Sequence, residues 1–327
     1  MRAVPRFWRY YFGGGDIKRA GETINKMKAV LLNGYGGVDQ LSYTDVPDPK
    51  PGAGEVLVKV AGTSLNPVDW KLRAGLLQAE FPLPLPAILG RDASGEVVAV
   101  GPGVTQFKVG DKVLGYVNKS YAELLVAKVD ELALLPEGLK MEDAAVLPVI
   151  GVTGAQLIER GVQPKAGDVV LITGALGAVG RTAVYVAKVH GARVIAGVRK
   201  SQKQEAQLLG ADKVVAVDDD GEIANLGELD AIADTVGGTV IEKLLPKIKK
   251  EGVLATVVGK PPAAEKAGVR VVEVWSQPDA KRLAALAEDV LQGDLVIPIG
   301  QRFHLNQIRL AHTVAEKGGT GKVLITP

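Results

Sequence analysis

Cysteine is absent from the 327-residue chain. That gap removes disulfides, thiolate-bound zinc, iron–sulfur clusters and cysteine nucleophiles at once. Histidine occurs three times, at His190, His304 and His312. All three lie outside the motifs described below, so they read as surface or core residues rather than metal ligands or a base. Uninterrupted apolar runs are short: Val169–Thr173 and residues 253–258 fall well below the roughly 20 residues of a membrane-crossing helix. No membrane span is expected. A sustained charge surplus is missing too. The formal net charge is +2, and the first 26 residues carry six basic against two acidic side chains, which leaves the remainder near −2. No nucleic-acid footprint is expected from such a body. The same tail holds Phe7, Trp8, Tyr10, Tyr11 and Phe12. It lacks the apolar centre of a secretory signal, so it reads as upstream sequence or a docked tail rather than a targeting peptide, and the expected compartment is the cytoplasm.

What is present has two grammars. Residues 27–149 contain short β-rich runs such as "EVLVKVAG" and "GEVVAVG", punctuated by Gly/Pro turns such as "PDPKPGAGE". "FPLPLPAILG" places three prolines in six positions and reads as an extended arm. Residues 150–275 alternate buried Val/Ile/Leu strands with helices of about ten residues, the pattern of a parallel sheet covered on both faces. Residues 276–327 return to one helix and β-like runs. A chain that leaves a β domain, builds a nucleotide domain and comes back points to an inserted cofactor domain.

The stretch "TGALGAVGR", residues 173–181, lies between a strand and a helix. Gly174, Gly177 and Gly180 permit a tight turn and close approach of the backbone to a pyrophosphate. The neighbouring Ala175, Leu176, Ala178 and Val179 complete the cofactor-binding loop, and the helix start supplies partial positive charge. Some twenty residues on, the end of the second strand has no acidic side chain. It offers Arg199, Lys200, Ser201 and Lys203 instead, donors suited to a 2′-phosphate, so NADPH is the expected cofactor. A short-chain reductase would also own such a loop, but it would start the chain there and use Tyr-x-x-x-Lys, which is absent.

The motif order "AGTSLNPVDWKLRAG", "ILGRDASGEVVAVGPGVTQFKVGDKVLGY", "AGDVVLITGALGAVGRTAVYVAK", "DTVGG" and "GTGKVLI" resembles the zinc-independent quinone oxidoreductase (zeta-crystallin-like) branch of the medium-chain dehydrogenases/reductases. The resemblance covers residues 27–327. It implies an α/β chain in which a GroES-like β domain (27–149 plus 276–327) receives an inserted Rossmann doubly wound parallel-sheet domain (150–275), with residues 1–26 as a tail. Zinc relatives carry Gly-His-Glu where this chain has Gly90, Arg91 and Asp92, so no metal is expected; protonated arginine cannot ligate zinc. The resemblance assigns Asn66 and Lys71 to catalysis, Trp70 and Trp275 to the substrate, and Thr153, Val258 and Gly259 to the nicotinamide end of the cofactor. Departures are Leu176 and Ala178 where relatives keep smaller residues, and Asp219 where a tyrosine often stands. The expected activity is metal-free, NADPH-dependent reduction of quinones or enones and enals as small-molecule substrates. Alternatives are an acyl-CoA or polyketide enoyl reductase, or a non-catalytic NADPH-binding sensor. Homodimers that pair through the edge of the cofactor sheet occur in the family, so a homodimer is an open expectation.

Overall fold

The computed structural model describes residues 25–265, 268–319 and 321–327. The tail therefore lies outside the described residues except for its last two positions. Contacts divide the chain into two compact units: residues up to 132 with 141–145 and 300–327, and residues 133–140 with 146–299.

The first unit is built around the long strand Glu55–Leu65. It pairs antiparallel with Asp92–Val100, with Leu124–Lys128, and through residues 63–65 with the C-terminal strand Lys322–Thr326. Alternation decides its faces: Val56, Val58 and Val60 turn into a core with Ala93, Val97, Val113 and Leu125. At residue 62 the alternation gives way to continuous burial. Gly62 lies there because a Cβ would stand 2.6 Å from the Glu142 carbonyl. A three-stranded sheet centred on Lys26–Leu32 and the helix Ile308–Lys317 enclose a second core of Val30, Leu32, Leu72, Tyr121 and Ile308.

The second unit holds six parallel strands in the order Lys213–Ala216, Arg193–Val198, Val169–Thr173, Leu229–Asp234, Ile248–Thr256, Arg270–Glu273. The order reverses between Val169–Thr173 and Leu229–Asp234, which is the doubly wound arrangement, with its ligand crevice expected outside the carboxyl ends at that reversal. The division between units falls at 300 rather than at the expected 276. The helix Ala280–Gln292 buries Leu283, Leu286 and Ala287 within the second unit, where a Cβ on Gly151 would stand 3.3 Å from Leu286.

Met141–Val162 is long and apolar enough, by length and composition, to cross a membrane, yet 83% of that window is buried inside the protein. Polar and charged positions such as Glu142, Asp143, Glu159 and Arg160 interrupt its apolar run, and residues 145–147 separate the helix Met141–Ala144 from the helix Pro148–Gln156.

Candidate active site

In the second unit, the cofactor loop follows the strand Val169–Thr173 and leads into the 12-residue helix Ala178–Val189. Gly174 adopts φ +61°, a left-handed conformation that a side chain disfavours. A Cβ on Gly180 would lie 2.1 Å from the Gly174 carbonyl and 2.8 Å from Ala175 Cα. Only glycine allows the helix to seat this close to the strand end. The turn is closed by Gly177 N–H donating to the Gly174 carbonyl at 2.8 Å, and Arg181 Nε donates to the Leu176 carbonyl at 3.1 Å. Arg181 also pairs with Glu205 at 2.7 Å. Leu176 and Ala178 are thus accommodated: Leu176 is half-buried and braced through its carbonyl, and Ala178 opens the helix. A helix start leaves its first N–H groups without intrahelical acceptors. Together with the glycine cradle it fits a pyrophosphate.

Arg199, Lys200 and Ser201 are exposed at the end of Arg193–Val198, and Lys203 is half-buried. Two of these cations are already engaged. Lys200 Nζ pairs with Asp219 at 2.8 Å, and Lys203 Nζ donates to both Glu222 oxygens at 2.7 and 2.9 Å. The Lys200 bond is the leading cause that holds the Asp219 carboxyl below its ordinary pKa. Asp219 also caps the next short helix through Gly221 and Glu222 N–H, so it faces the basic cluster as a counter-ion.

Elsewhere in this unit, Thr153 Oγ1 donates to Ser276 Oγ at 2.8 Å, and the Gln156 amide clasps the Gln277 backbone in both directions at 2.8 and 3.0 Å. These bonds hold the segment that presents Trp275, which is 59% exposed. Val258 is exposed and Gly259 has φ +105°. The Val258 N–H is taken by Thr256 Oγ1 at 3.2 Å, so that N–H is already engaged within the protein.

The first unit places Asn66, Trp70 and Lys71 together. Asn66 precedes the helix Pro67–Arg73, and Asp69 Oδ2 accepts the Asn66 N–H at 2.8 Å. The Asn66 side chain does not form a local turn. Its Nδ2 donates to Asp92 Oδ2 at 2.7 Å and its Oδ1 accepts from Lys322 Nζ at 2.8 Å. Ser64 Oγ makes a short bond to the same Asp92 oxygen, and Lys322 Nζ also reaches the Leu65 carbonyl at 3.2 Å and Asp92 at 3.5 Å. Ser64, Asn66, Asp92 and Lys322 are all buried. Burial lowers the Lys322 pKa, opposed by the charges of Asp92 and Asp69. Lys71 is half-buried with Nζ 5.8 Å from the Trp70 ring centroid, a cation–π distance.

Behind this cluster, burial raises the Asp69 carboxyl to about 6. Tyr121, fully buried, is raised well above its usual value by burial and then by the Asp69 charge. Asp69 Oδ1 and the Tyr121 hydroxyl both lack a hydrogen-bond partner. His312 packs edge-on to Tyr121 with ring centroids 5.9 Å apart, and burial lowers its pKa to about 3. This histidine is a neutral core residue.

Lys322 and Asp234 were not singled out by sequence reasoning. Lys322 sits in "GTGKVLI" as one cation inside an apolar strand, a signal of a paired burial. Asp234 opens the quoted "DTVGG". Among the described residues no group of three or more His, Asp or Glu side chains is placed to hold a metal ion.

Residues 52–137 match the alcohol dehydrogenase GroES-like domain family, and residues 209–325 the zinc-binding dehydrogenase family. The chain is 30% identical to the chloroplast envelope quinone oxidoreductase homolog of Arabidopsis thaliana, over 92% of this chain and 98% of that protein. It is 32% identical to the chloroplastic NADPH-dependent alkenal/one oxidoreductase of the same plant, over 92% and 80% respectively. The solved quinone oxidoreductase of Coxiella burnetii superposes with a TM-score of 0.85 at 31% identity, covering 93% of this chain and all of that one.

Proposed function

The chain belongs to the zinc-independent quinone-oxidoreductase family of medium-chain dehydrogenases/reductases, and from that premise we propose that it reduces quinones and α,β-unsaturated carbonyls with NADPH. The observation that carries this is the Asp92 cluster. Where a catalytic zinc would need histidine and cysteine donors, Arg91 stands beside a carboxylate already bonded to Ser64 and Asn66 and close to Lys322.

NADPH, when bound, supplies a hydride from its nicotinamide C4. An enone or quinone carbon is already electrophilic, so the chain need only bind the developing oxyanion and orient the acceptor. Lys71 is assigned as the cationic donor to that oxygen. Asn66, with its carbonyl on Lys322 and one amide hydrogen on Asp92, retains a second amide hydrogen for cofactor or substrate. Trp70 in the first unit and Trp275 in the second are each assigned to the substrate as an apolar surface for a planar acceptor. The α-carbon or the second quinone oxygen then takes a proton from solvent.

The glycine cradle of residues 174–180 is assigned to the pyrophosphate, Thr153 and the Val258–Gly259 segment to the nicotinamide end, and Arg199, Lys200, Ser201 and Lys203 to the 2′-phosphate. Lys200 and Lys203 would have to share their charge with Asp219 and Glu222, so Arg199 carries the greater part of the NADPH preference. A cytoplasmic location belongs to the same proposal. A homodimer through the Arg270–Glu273 end of the sheet belongs to the same proposal, and sedimentation velocity tests it.

The test of function is a panel of quinones, enals, enones and simple ketones, followed by loss of NADPH absorbance with and without chelator. Turnover of the first three classes, indifferent to chelator, is expected. Tight NADPH binding without turnover of any of them would overturn the proposal.

A further inference from the structure

We propose that Asp234 is a positioning residue for the cofactor, a clamp that fixes the strand ends on both sides of the strand-order reversal. The inference rests on the proposal that this unit binds NADPH.

Asp234 is fully buried at the carboxyl end of Leu229–Asp234. Its Oδ1 accepts from Thr173 Oγ1 at 2.8 Å and from the N–H groups of Val236 and Gly237 at 3.0 and 2.9 Å. Its Oδ2 accepts from Thr256 Oγ1 at 3.0 Å. The two threonine hydroxyls pass the order outward: Thr173 Oγ1 accepts the Thr235 N–H at 2.9 Å, and Thr256 Oγ1 accepts the Val258 N–H at 3.2 Å. One carboxylate thus orders the ends of three neighbouring strands, Val169–Thr173, Leu229–Asp234 and Ile248–Thr256.

Those three ends are where the cofactor loop begins, where "DTVGG" turns, and where Val258 and Gly259 follow. The loops also touch: Thr235 Oγ1 donates to the Thr173 carbonyl at 2.7 Å, and a Cβ on Gly174 would lie 2.6 Å from Thr235 Oγ1. Because the strand order reverses between the first two, the crevice for a dinucleotide is expected outside the strand ends that Asp234 joins. The N–H groups of residues 235, 236, 237 and 258 all point inward to this clamp. They are therefore committed to ordering the strand ends rather than to a ligand.

Three variants read this out: Asp234→Ala, Asp234→Asn and Thr256→Val, each assayed for NADPH dissociation constant by fluorescence, for kcat and quinone KM, and for thermal unfolding. Asp234→Ala leaves four donors without an acceptor. It should weaken NADPH about tenfold or more and lower kcat, with quinone KM nearly constant. Asn keeps one oxygen for the Oδ1 donors and can donate to Thr256 Oγ1, whose own hydrogen can turn to the Gly259 carbonyl at 3.5 Å. It should restore NADPH affinity to within a few-fold of wild type. Thr256→Val keeps the carboxylate and folds even if Asp234→Ala does not; it should weaken NADPH several-fold, and unchanged affinity there would overturn the clamp. Folded Asp234→Ala with wild-type NADPH affinity and kcat, or a lowered melting temperature as the only effect, would overturn it as well. Wild-type protein that binds no NADPH would instead overturn the cofactor proposal on which it rests.

Discussion

At the scale of single residues, the chemistry depends on how few side chains are left uncommitted. Lys71 rests against Trp70, whereas Lys322 is enclosed with Asn66 and Asp92, so the two lysines should behave oppositely. Lys71→Met is expected to lower kcat by about a hundredfold, the scale of losing one oxyanion donor, with NADPH affinity intact; unchanged turnover would return Lys71 to a surface role. Lys322→Met strands a buried carboxylate and should cost about 3–5 kcal/mol in denaturant unfolding. Asp69 and His312 oppose each other in pH. The Asp69 pKa rises on folding from 3.8 to about 6, so its contribution is full below 3.8 and is lost as pH climbs through 6, roughly 3 kcal/mol in all. His312 falls from 6.5 to about 3, so its contribution is present above 6.5 and is lost as pH falls toward 3, roughly 4–5 kcal/mol. Between pH 3.8 and 6 the two cancel. Asp69→Asn, which keeps an acceptor for the Asn66 N–H, should therefore gain on wild type as pH rises through that window, and His312→Leu should gain as pH falls from 6.5. Parallel pH–stability curves for wild type and either variant would refute that balance.

At the scale of elements, the glycine turn decides whether the strand–loop–helix unit can hold a cofactor. Gly180→Ala forces a methyl against the Gly174 carbonyl and should weaken NADPH by at least about tenfold through displacement of the helix start; isothermal titration checks this. At the next strand end, Arg199→Ala with Lys203→Ala should weaken NADPH far more than NADH, while Asp219→Asn should release Lys200 and strengthen NADPH. Equal losses for both cofactors would separate the basic cluster from the 2′-phosphate. The alternation of buried strands and short helices made the doubly wound sheet legible in the sequence, and Gly174, Gly177 and Gly180 declared the loop. The ion pairs Lys200–Asp219 and Lys203–Glu222 were not legible, because they join side chains 19 residues apart whose meeting depends on adjacent parallel strands. The role of Asn66 was hidden for a related reason: its partners Asp92 and Lys322 come from strands 26 and 256 residues away.

At the scale of the whole molecule, each compact unit carries one half of the chemistry that is proposed, with Asn66 and Lys71 in the first and the cofactor loop in the second. The order of motifs along the chain made the inserted domain visible, but the return point was misplaced by some twenty residues, since the amphipathic pattern of Ala280–Gln292 says that one face is buried and not against which core. The proposed reaction is metal-free hydride delivery to the electrophilic carbon of a conjugated acceptor. It is tested most directly by reducing an α,β-unsaturated ketone with NADPH deuterated at C4, in chelator-treated buffer, and locating the label by NMR. Deuterium at the β-carbon of a saturated ketone, with a solvent proton at the α-carbon, is the predicted result. Deuterium at the carbinol carbon of an alcohol, or activity that disappears with chelator and returns with zinc, would contradict it.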